Sequence, residues 1–264
     1  MQLVRAKTNL LDMHAKPDFL SERYSQMFWG EPARVVGKNK NWLKVKKVDG
    51  YTGWVLGSLV ETITQADYHH LSKSTPARLI RTTALKDKPS GSSLPPHQLY
   101  YGTPVWVKSI RNGWAKLFWT QLTSYYVKAS ALVTPSAMKR TKPTGQRIIT
   151  EARKFLGVPY LWGGVSPAGW DCSGMVGTIL SRFGIIIPRD TKDQIRIGRR
   201  ITDKERKTGD LIFFDRHVGF AIGSEQVIHA SLGGGGVRIN SLRSDGPDFR
   251  QDLADIYRQT RRIL

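Results

Sequence analysis

The chain has 264 residues, 40% of them hydrophobic, with 41 Lys/Arg against 21 Asp/Glu and a net charge of +20. That composition suits a globular protein of two or three domains and leaves no run long enough for a membrane-spanning helix. The charge favours polyanionic partners (nucleic acid, anionic membrane or acidic wall polymers), and a single cysteine, Cys172, excludes an internal disulfide.

The N-terminus, from Met1 to Asp18, is charged and broken by Pro17, unlike an intact signal peptide. Residues 1–70 hold 10 basic against 7 acidic residues, 71–140 hold 11 against 1, and 141–264 hold 20 against 13. Half of the positive excess therefore lies in the middle segment.

The first half contains a repeat spaced by 72 residues. Gln26-Met27-Phe28-Trp29-Gly30-Glu31-Pro32 returns as Gln98-Leu99-Tyr100-Tyr101-Gly102-Thr103-Pro104. Val35 returns as Val107, Trp42 as Trp114, and Lys44 as Lys116. Two copies of one small module are expected, over residues 1–70 and 71–136. Short alternating runs such as Trp42-Leu43-Lys44-Val45-Lys46 and Val105-Trp106-Val107-Lys108 predict small barrels of short strands. Trp114 and Tyr126 match aromatic positions of the first copy and are assigned to the second barrel's core. Trp106, Trp119 and Tyr125 stay open, as core or as stacking platform.

Pro135 to Gly145 reads as a linker, and Thr144 as the cap of a helix over 146–155 closed by Gly157. A rigid aromatic loop follows, Val158-Pro159-Tyr160-Leu161-Trp162-Gly163-Gly164. Then Trp170-Asp171-Cys172-Ser173-Gly174 opens a helix whose buried face is Met175, Val176, Ile179, Leu180 and Phe183. The cysteine starts this helix and stands off its buried face, where exposed amides favour a thiolate. Beyond Arg200 the runs 210–214, 217–222 and 226–229 predict strands, and Gly233 to Gly236 a hairpin turn. A nucleophile-bearing helix before a histidine-bearing antiparallel sheet is an α+β arrangement, over residues 137–264.

Taken singly, His217 reads equally well as a solvated turn residue, whereas His229 reads better as a satisfied core residue and Asp190 better as a helix cap. One cysteine without a close histidine pair is no zinc-ligand set, so neither metal nor cofactor is expected. Together the motifs are more specific. Pro159-Tyr160-x-Trp162-Gly163-Gly164, Asp171-Cys172-Ser173-Gly174, Pro188-Arg189-Asp190, Gly209-Asp210-Leu211, His217-Val218-Gly219 and Val227-Ile228-His229-Ala230 follow in order. This set resembles the NlpC-type cell-wall cysteine peptidases, which are papain-like. The apolar-apolar-Gly-x-Pro pattern, lone Trp and Asp49-Gly50-Tyr51-Thr52-Gly53-Trp54-Val55 resemble the bacterial SH3-like domain. The second copy departs from it, with no Asp-Gly-Tyr turn between Phe118 and Tyr125.

The resemblance implies a multidomain protein: two small all-β SH3-like barrels, then an α+β papain-like cysteine peptidase domain. It implies a γ-D-glutamyl-L-diamino-acid endopeptidase acting on peptidoglycan stem peptides of the L-Ala-γ-D-Glu-diaminopimelate type. Cys172 would be the nucleophile, with a pKa depressed by several units, His217 its proton partner and His229 the orienting third member. Asp190 would receive the free α-amine of an N-terminal L-Ala. Tyr160, Thr191, Asp171 and Ser173 would meet the peptide, with Tyr51 and Glu22 of the first barrel beside it. Anionic wall polymers are further expected partners, nucleic acid is ranked below them, and a monomer is expected, at the periplasm or cell surface or, as a recycling enzyme, in the cytoplasm. The competing reading is a wall-polymer binding protein with amidase or acyltransferase chemistry on the same scaffold.

Overall fold

The computed structural model describes residues 2–264 and divides into two units, Met1–Arg140 and Thr141–Leu264. Among the described residues no helix is long and apolar enough to cross a membrane.

The first unit contains two seven-stranded antiparallel sheets. The first is built from β1 (Leu3–Ala6), β2 (Leu10–His14), β3 (Arg23–Phe28), β4 (Pro32–Asn39), β5 (Trp42–Lys47), β6 (Thr52–Leu56) and β7 (Val60–Ile63). The second uses β8 (Thr75–Leu79), β9 (Thr83–Lys86), β10 (Ser93–Leu99), β11 (Pro104–Arg111), β12 (Trp114–Phe118), β13 (Ser124–Lys128) and β14 (Leu132–Val133). Their strand orders, β3-β2-β6-β5-β4-β1-β7 and β10-β9-β13-β12-β11-β8-β14, are one order repeated. Even the register shift following Val35 recurs after Val107. The 72-residue offset in sequence is thus an offset between equivalent strands.

Alternation decides what each sheet buries. Val4, Ala6, Leu11, Met13, Met27, Val45 and Val55 fill the first core; Leu79, Leu85, Leu99, Val105, Ala115, Leu117 and Val127 fill the second. Trp119 also joins the second core, stacked on Trp29 with ring centroids 4.4 Å apart, and Tyr125 meets both edge-on. The core assignment of Trp114 and Tyr126 is corrected. Buried Ala115, Leu117 and Val127 alternate with them and take the inner side, so both rings face outward, half-buried. The counterpart Trp42 is buried because Phe19 and His14 cover it at 4.8 and 5.4 Å.

Two helices of the first unit lie outside the expected elements. α1 (Gln65–Lys73) is capped by Thr64, whose hydroxyl accepts from the Asp67 amide. α2 (Pro135–Arg140) occupies the first half of the expected linker. Its proline sits at the first helical position, where a missing N–H does no harm. Thr134 precedes it as the cap, its hydroxyl accepting from the Ala137 amide at 3.4 Å and its carbonyl from the Met138 amide at 2.9 Å.

The second unit places helices α3 (Gly145–Arg153) and α4 (Cys172–Ser181) against a six-stranded antiparallel sheet. Two short strands, β15 (Val165–Ser166) and β16 (Gly169–Trp170), bring the chain to α4. The sheet comprises β17 (Arg199–Ile201), β18 (Leu211–Phe214), β19 (His217–Ile222), β20 (Gln226–Ser231), β21 (Gly236–Ser241) and β22 (Tyr257–Arg262), in the order β17-β22-β18-β19-β20-β21. Thr144 caps α3 as its sequence implies. Ile148, Ile149 and Ala152 of α3 and Met175, Val176, Ile179 and Leu180 of α4 are buried, which stabilises the unit by roughly 1.5–3 kcal/mol for each large aliphatic side chain.

Candidate active site

α4 begins at Cys172, with Asp171 as its N-cap. The Asp171 carboxylate accepts from the Gly174 amide at 2.6 Å and the Ser173 hydroxyl at 3.2 Å. Arg189 closes the cage, with Nη2 2.5 Å from one carboxylate oxygen and Nη1 3.2 Å from the other. Its Nη1 also donates to Ser173 Oγ at 2.8 Å. Gly174 is required here, since a Cβ would lie 2.1 Å from the Gly164 carbonyl oxygen. The side chains of Asp171 and Ser173 take part in this cage. Its effect is to fix the helix end from which the thiol projects.

Thr191 opens the short helix α5 (Thr191–Gln194), and its hydroxyl is 3.7 Å from Cys172 Sγ. Asp190 precedes it and makes no capping hydrogen bond with its side chain. Tyr160 is held by its amide on the Gly235 carbonyl, between Trp170 and the β20–β21 turn. Burial raises its hydroxyl pKa, and the Cys172 and Asp171 charges push the same way. Tyr51 and Glu22 belong to the first unit; Tyr51 meets Tyr24 edge-on at 5.7 Å, and the Glu22 carbonyl accepts from the Ala15 amide.

The two histidines share one face of the sheet on neighbouring strands. His217 Nε2 and His229 Nδ1 are 2.6 Å apart, and His229 Nε2 is 2.8 Å from Asn240 Oδ1. Gly219 makes room for this pair: a Cβ there would stand 2.9 Å from His229 Cβ and 2.5 Å from Val227 Cγ2. α4 packs on β19, and the Val218 amide hydrogen-bonds the Cys172 sulfur. His217 precedes Val218 on the same strand, and its Nε2 is taken up by His229.

The expected depression of the thiol pKa is not what the structure produces. Burial, with the Asp171 carboxylate second, pushes Cys172 up to about 11. Hydrogen bonds from Thr191, Val218 and Ser173 act the other way and lose. Burial likewise lowers His217 to about 3, with His229 adding to the effect, and lowers His229 to about 4 against the Asn240 hydrogen bond. Burial thus favours the neutral form of the thiol and of both imidazoles. Among the described residues no group of His, Cys, Asp or Glu is arranged to hold a metal.

Asn240 and Arg189 are site residues that sequence reasoning misses. Arg189 carries a signal, its place in Pro188-Arg189-Asp190, but Asn240 carries none.

Comparison with known proteins fits this geometry. The model of the NlpC/P60 family matches residues 157–254, and that of the bacterial SH3 domain matches residues 9–61. The chain is 30% identical over 236 residues to a γ-D-glutamyl-L-lysine dipeptidyl-peptidase of Bacillus subtilis, covering 83% of this chain and 75% of the relative. It is 29% identical to dipeptidyl-peptidase 6 of Lysinibacillus sphaericus, over 93% of each chain. A solved NlpC/P60 family protein from Bacillus cereus superposes with a TM-score of 0.84 at 22% identity, covering 98% of this chain and 99% of that one.

Proposed function

Since this chain belongs to the NlpC/P60 family, we propose that it is a cysteine endopeptidase hydrolysing the bond between γ-D-Glu and the diamino acid of peptidoglycan stem peptides. The observation that carries the reading is a thiol at the start of α4, a helix packed on the two strands that hold the His217–His229 pair. The likeness to a γ-D-glutamyl-L-lysine dipeptidyl-peptidase along most of the chain supports the substrate class. Both copies in the first unit are assigned to the SH3-like fold and the second unit to the papain-like fold, on the repeated strand order and the helix-on-sheet arrangement.

His217 takes the thiol proton at Nδ1 as Sγ attacks the γ-carbonyl carbon. The Cys172 backbone N–H, at the helix start, meets the developing oxyanion. The proton then passes to the leaving amine of the diamino acid. Water, activated by the same imidazole, hydrolyses the thioester. A substrate that belongs to the wall favours a seat at the periplasm or cell surface.

Asp190 gives the proposed preference for a free N-terminal L-Ala. A carboxylate beside the cleft attracts an arriving ammonium, whereas an acylated amine brings no charge to offset the loss of water around it. Mass spectrometry of L-Ala-γ-D-Glu-diaminopimelate, with and without an N-terminal acyl group, tests the reading. Release of free diaminopimelate from the unacylated peptide is expected, and an intact peptide or a transfer product would refute it. Asp190→Ala is expected to lower kcat/KM on the free-amine peptide by roughly 30-fold or more, with little change on the acylated one. Equal losses on both would remove Asp190 from specificity.

The outward face of the second barrel is the proposed seat for anionic wall polymers. Lys128 Nζ lies 3.9 Å and Lys86 Nζ 5.8 Å from the centroid of the Trp114 ring. Lys116 pairs across the strands with Tyr126, and Arg111 with Trp114. Sedimentation with isolated walls, using the Cys172→Ala chain to prevent digestion, is expected to weaken for Lys86→Glu/Lys128→Glu and at raised salt. Stronger retention by DNA than by walls would transfer this face to nucleic acid.

A further inference from the structure

We infer that Asn240 fixes the tautomers of both histidines and so aims the proton-accepting nitrogen of His217 at the thiol. This is a positioning role for a residue two hydrogen bonds removed from the sulfur's partner. His217, His229 and Asn240 lie on β19, β20 and β21, on one face and at diagonal positions. The amide is oriented from behind: Asn240 Nδ2 donates to the Asp248 carbonyl at 2.7 Å. That contact leaves Oδ1 facing His229 at 2.8 Å.

A carbonyl oxygen accepts only, so His229 Nε2 carries the hydrogen. A neutral imidazole has one N–H, so His229 Nδ1 is a lone pair. His217 Nε2 must then donate across the 2.6 Å contact. What remains on His217 is a lone pair at Nδ1, the atom that must receive the thiol proton. Turning the Asn240 amide over would reverse every assignment and present an N–H to the sulfur. It would also set Oδ1 against the Asp248 carbonyl, which opposes the flip.

Two further observations support a built device. Asp248 is held at φ 54°, a conformation uncommon outside glycine, while its carbonyl is directed at the amide. Asn240 and His229 are each 2% exposed, so bulk water cannot replace either partner. The charges around His229 are Arg238 of β21, and Arg250 and Asp252, which form a two-point pair near α6 (Gln251–Asp255); His217 is its titratable neighbour on β19. The arginines disfavour an imidazolium and Asp252 favours one. A neutral amide orders the rings without adding charge to this balance.

The consequence for rate rests on the proposed hydrolysis, but the tautomers can be read without substrate. Nitrogen-15 NMR of the imidazoles in the full chain should show Nε2–H and a lone pair at Nδ1 for both rings at neutral pH. A proton on His229 Nδ1 overturns the inference whatever the protein's activity. Asn240→Leu is expected to lower kcat on the free-amine tripeptide by on the order of 10²-fold with KM nearly unchanged. Asn240→Asp, which puts a carboxylate beside His229, is expected to move the acid limb of kcat/KM upward in pH. A kcat for Asn240→Leu within about twofold of wild type, or an unmoved acid limb in Asn240→Asp, refutes the role.

Discussion

Replacing Cys172 with alanine is expected to lower peptide hydrolysis by on the order of 10⁴-fold or more, because no other group can form the acyl intermediate. The fold should survive, since alanine keeps the backbone and Cβ of a residue only 6% exposed. Binding of the tripeptide should therefore remain measurable by calorimetry while turnover is gone. The pH behaviour carries the sharper test. Because burial pushes the thiol up and His217 down, ionisation is expected to be triggered within the substrate complex. Alkylation of the free enzyme by iodoacetamide should accordingly be slow at neutral pH and climb through the alkaline range. A reactivity plateau already reached in the acid range would mean a preformed thiolate and would sink this account. Stability has a definite sign as well. Both histidines have folded values below the ordinary 6.5, so the unfolded chain takes up protons that the folded chain refuses. Their contribution is complete above pH 6.5 and is lost as pH falls from there through about 4 to 3.

The proposed nucleophile and the two histidines stand out in the sequence because their signals are local. A thiol preceded by a capping aspartate marks a helix start, and histidines in short apolar runs mark strands. Asn240 is an ordinary residue in an alternating strand, and only the register of β20 on β21 brings it to His229. Arg189 is one of 41 Lys/Arg; its place in Pro188-Arg189-Asp190 marks it, but its burial against Asp171 shows only in the fold. The thiol's pKa escapes a sequence reading for a related reason. Sequence locates the helix terminus, which lowers it, but not the desolvation that outweighs that effect. Trp114 and Trp119 show the same gap within one hairpin. An alternating pattern identifies the strand, while neighbouring segments decide which aromatic is covered.

Removing the Arg189 guanidinium, as in Arg189→Leu, is expected to destabilise the second unit by about 3–5 kcal/mol. The reason is the partner left behind. Asp171 and Arg189 side chains are 10% and 9% exposed, so the orphaned carboxylate would keep only the Gly174 amide and Ser173 hydroxyl. Surface pairs offer the contrast: Arg199, 63% exposed beside Glu205, should be replaceable by alanine without a measurable change. The damage should be greatest at the first turn of α4, because the unpaired carboxylate is its N-cap. Amide exchange in α4 under urea would measure both the loss and its location. Adding Asp171→Asn to Arg189→Leu should recover part of the stability by removing the stranded charge, and the double-mutant cycle should show strong coupling. A loss below about 1 kcal/mol for Arg189→Leu, or additive effects in the cycle, would mean that solvent already screens the pair. The cage would then not be what holds Cys172 at the helix terminus, and the geometry of the nucleophile would have to come from the packing of α4 on β19 alone.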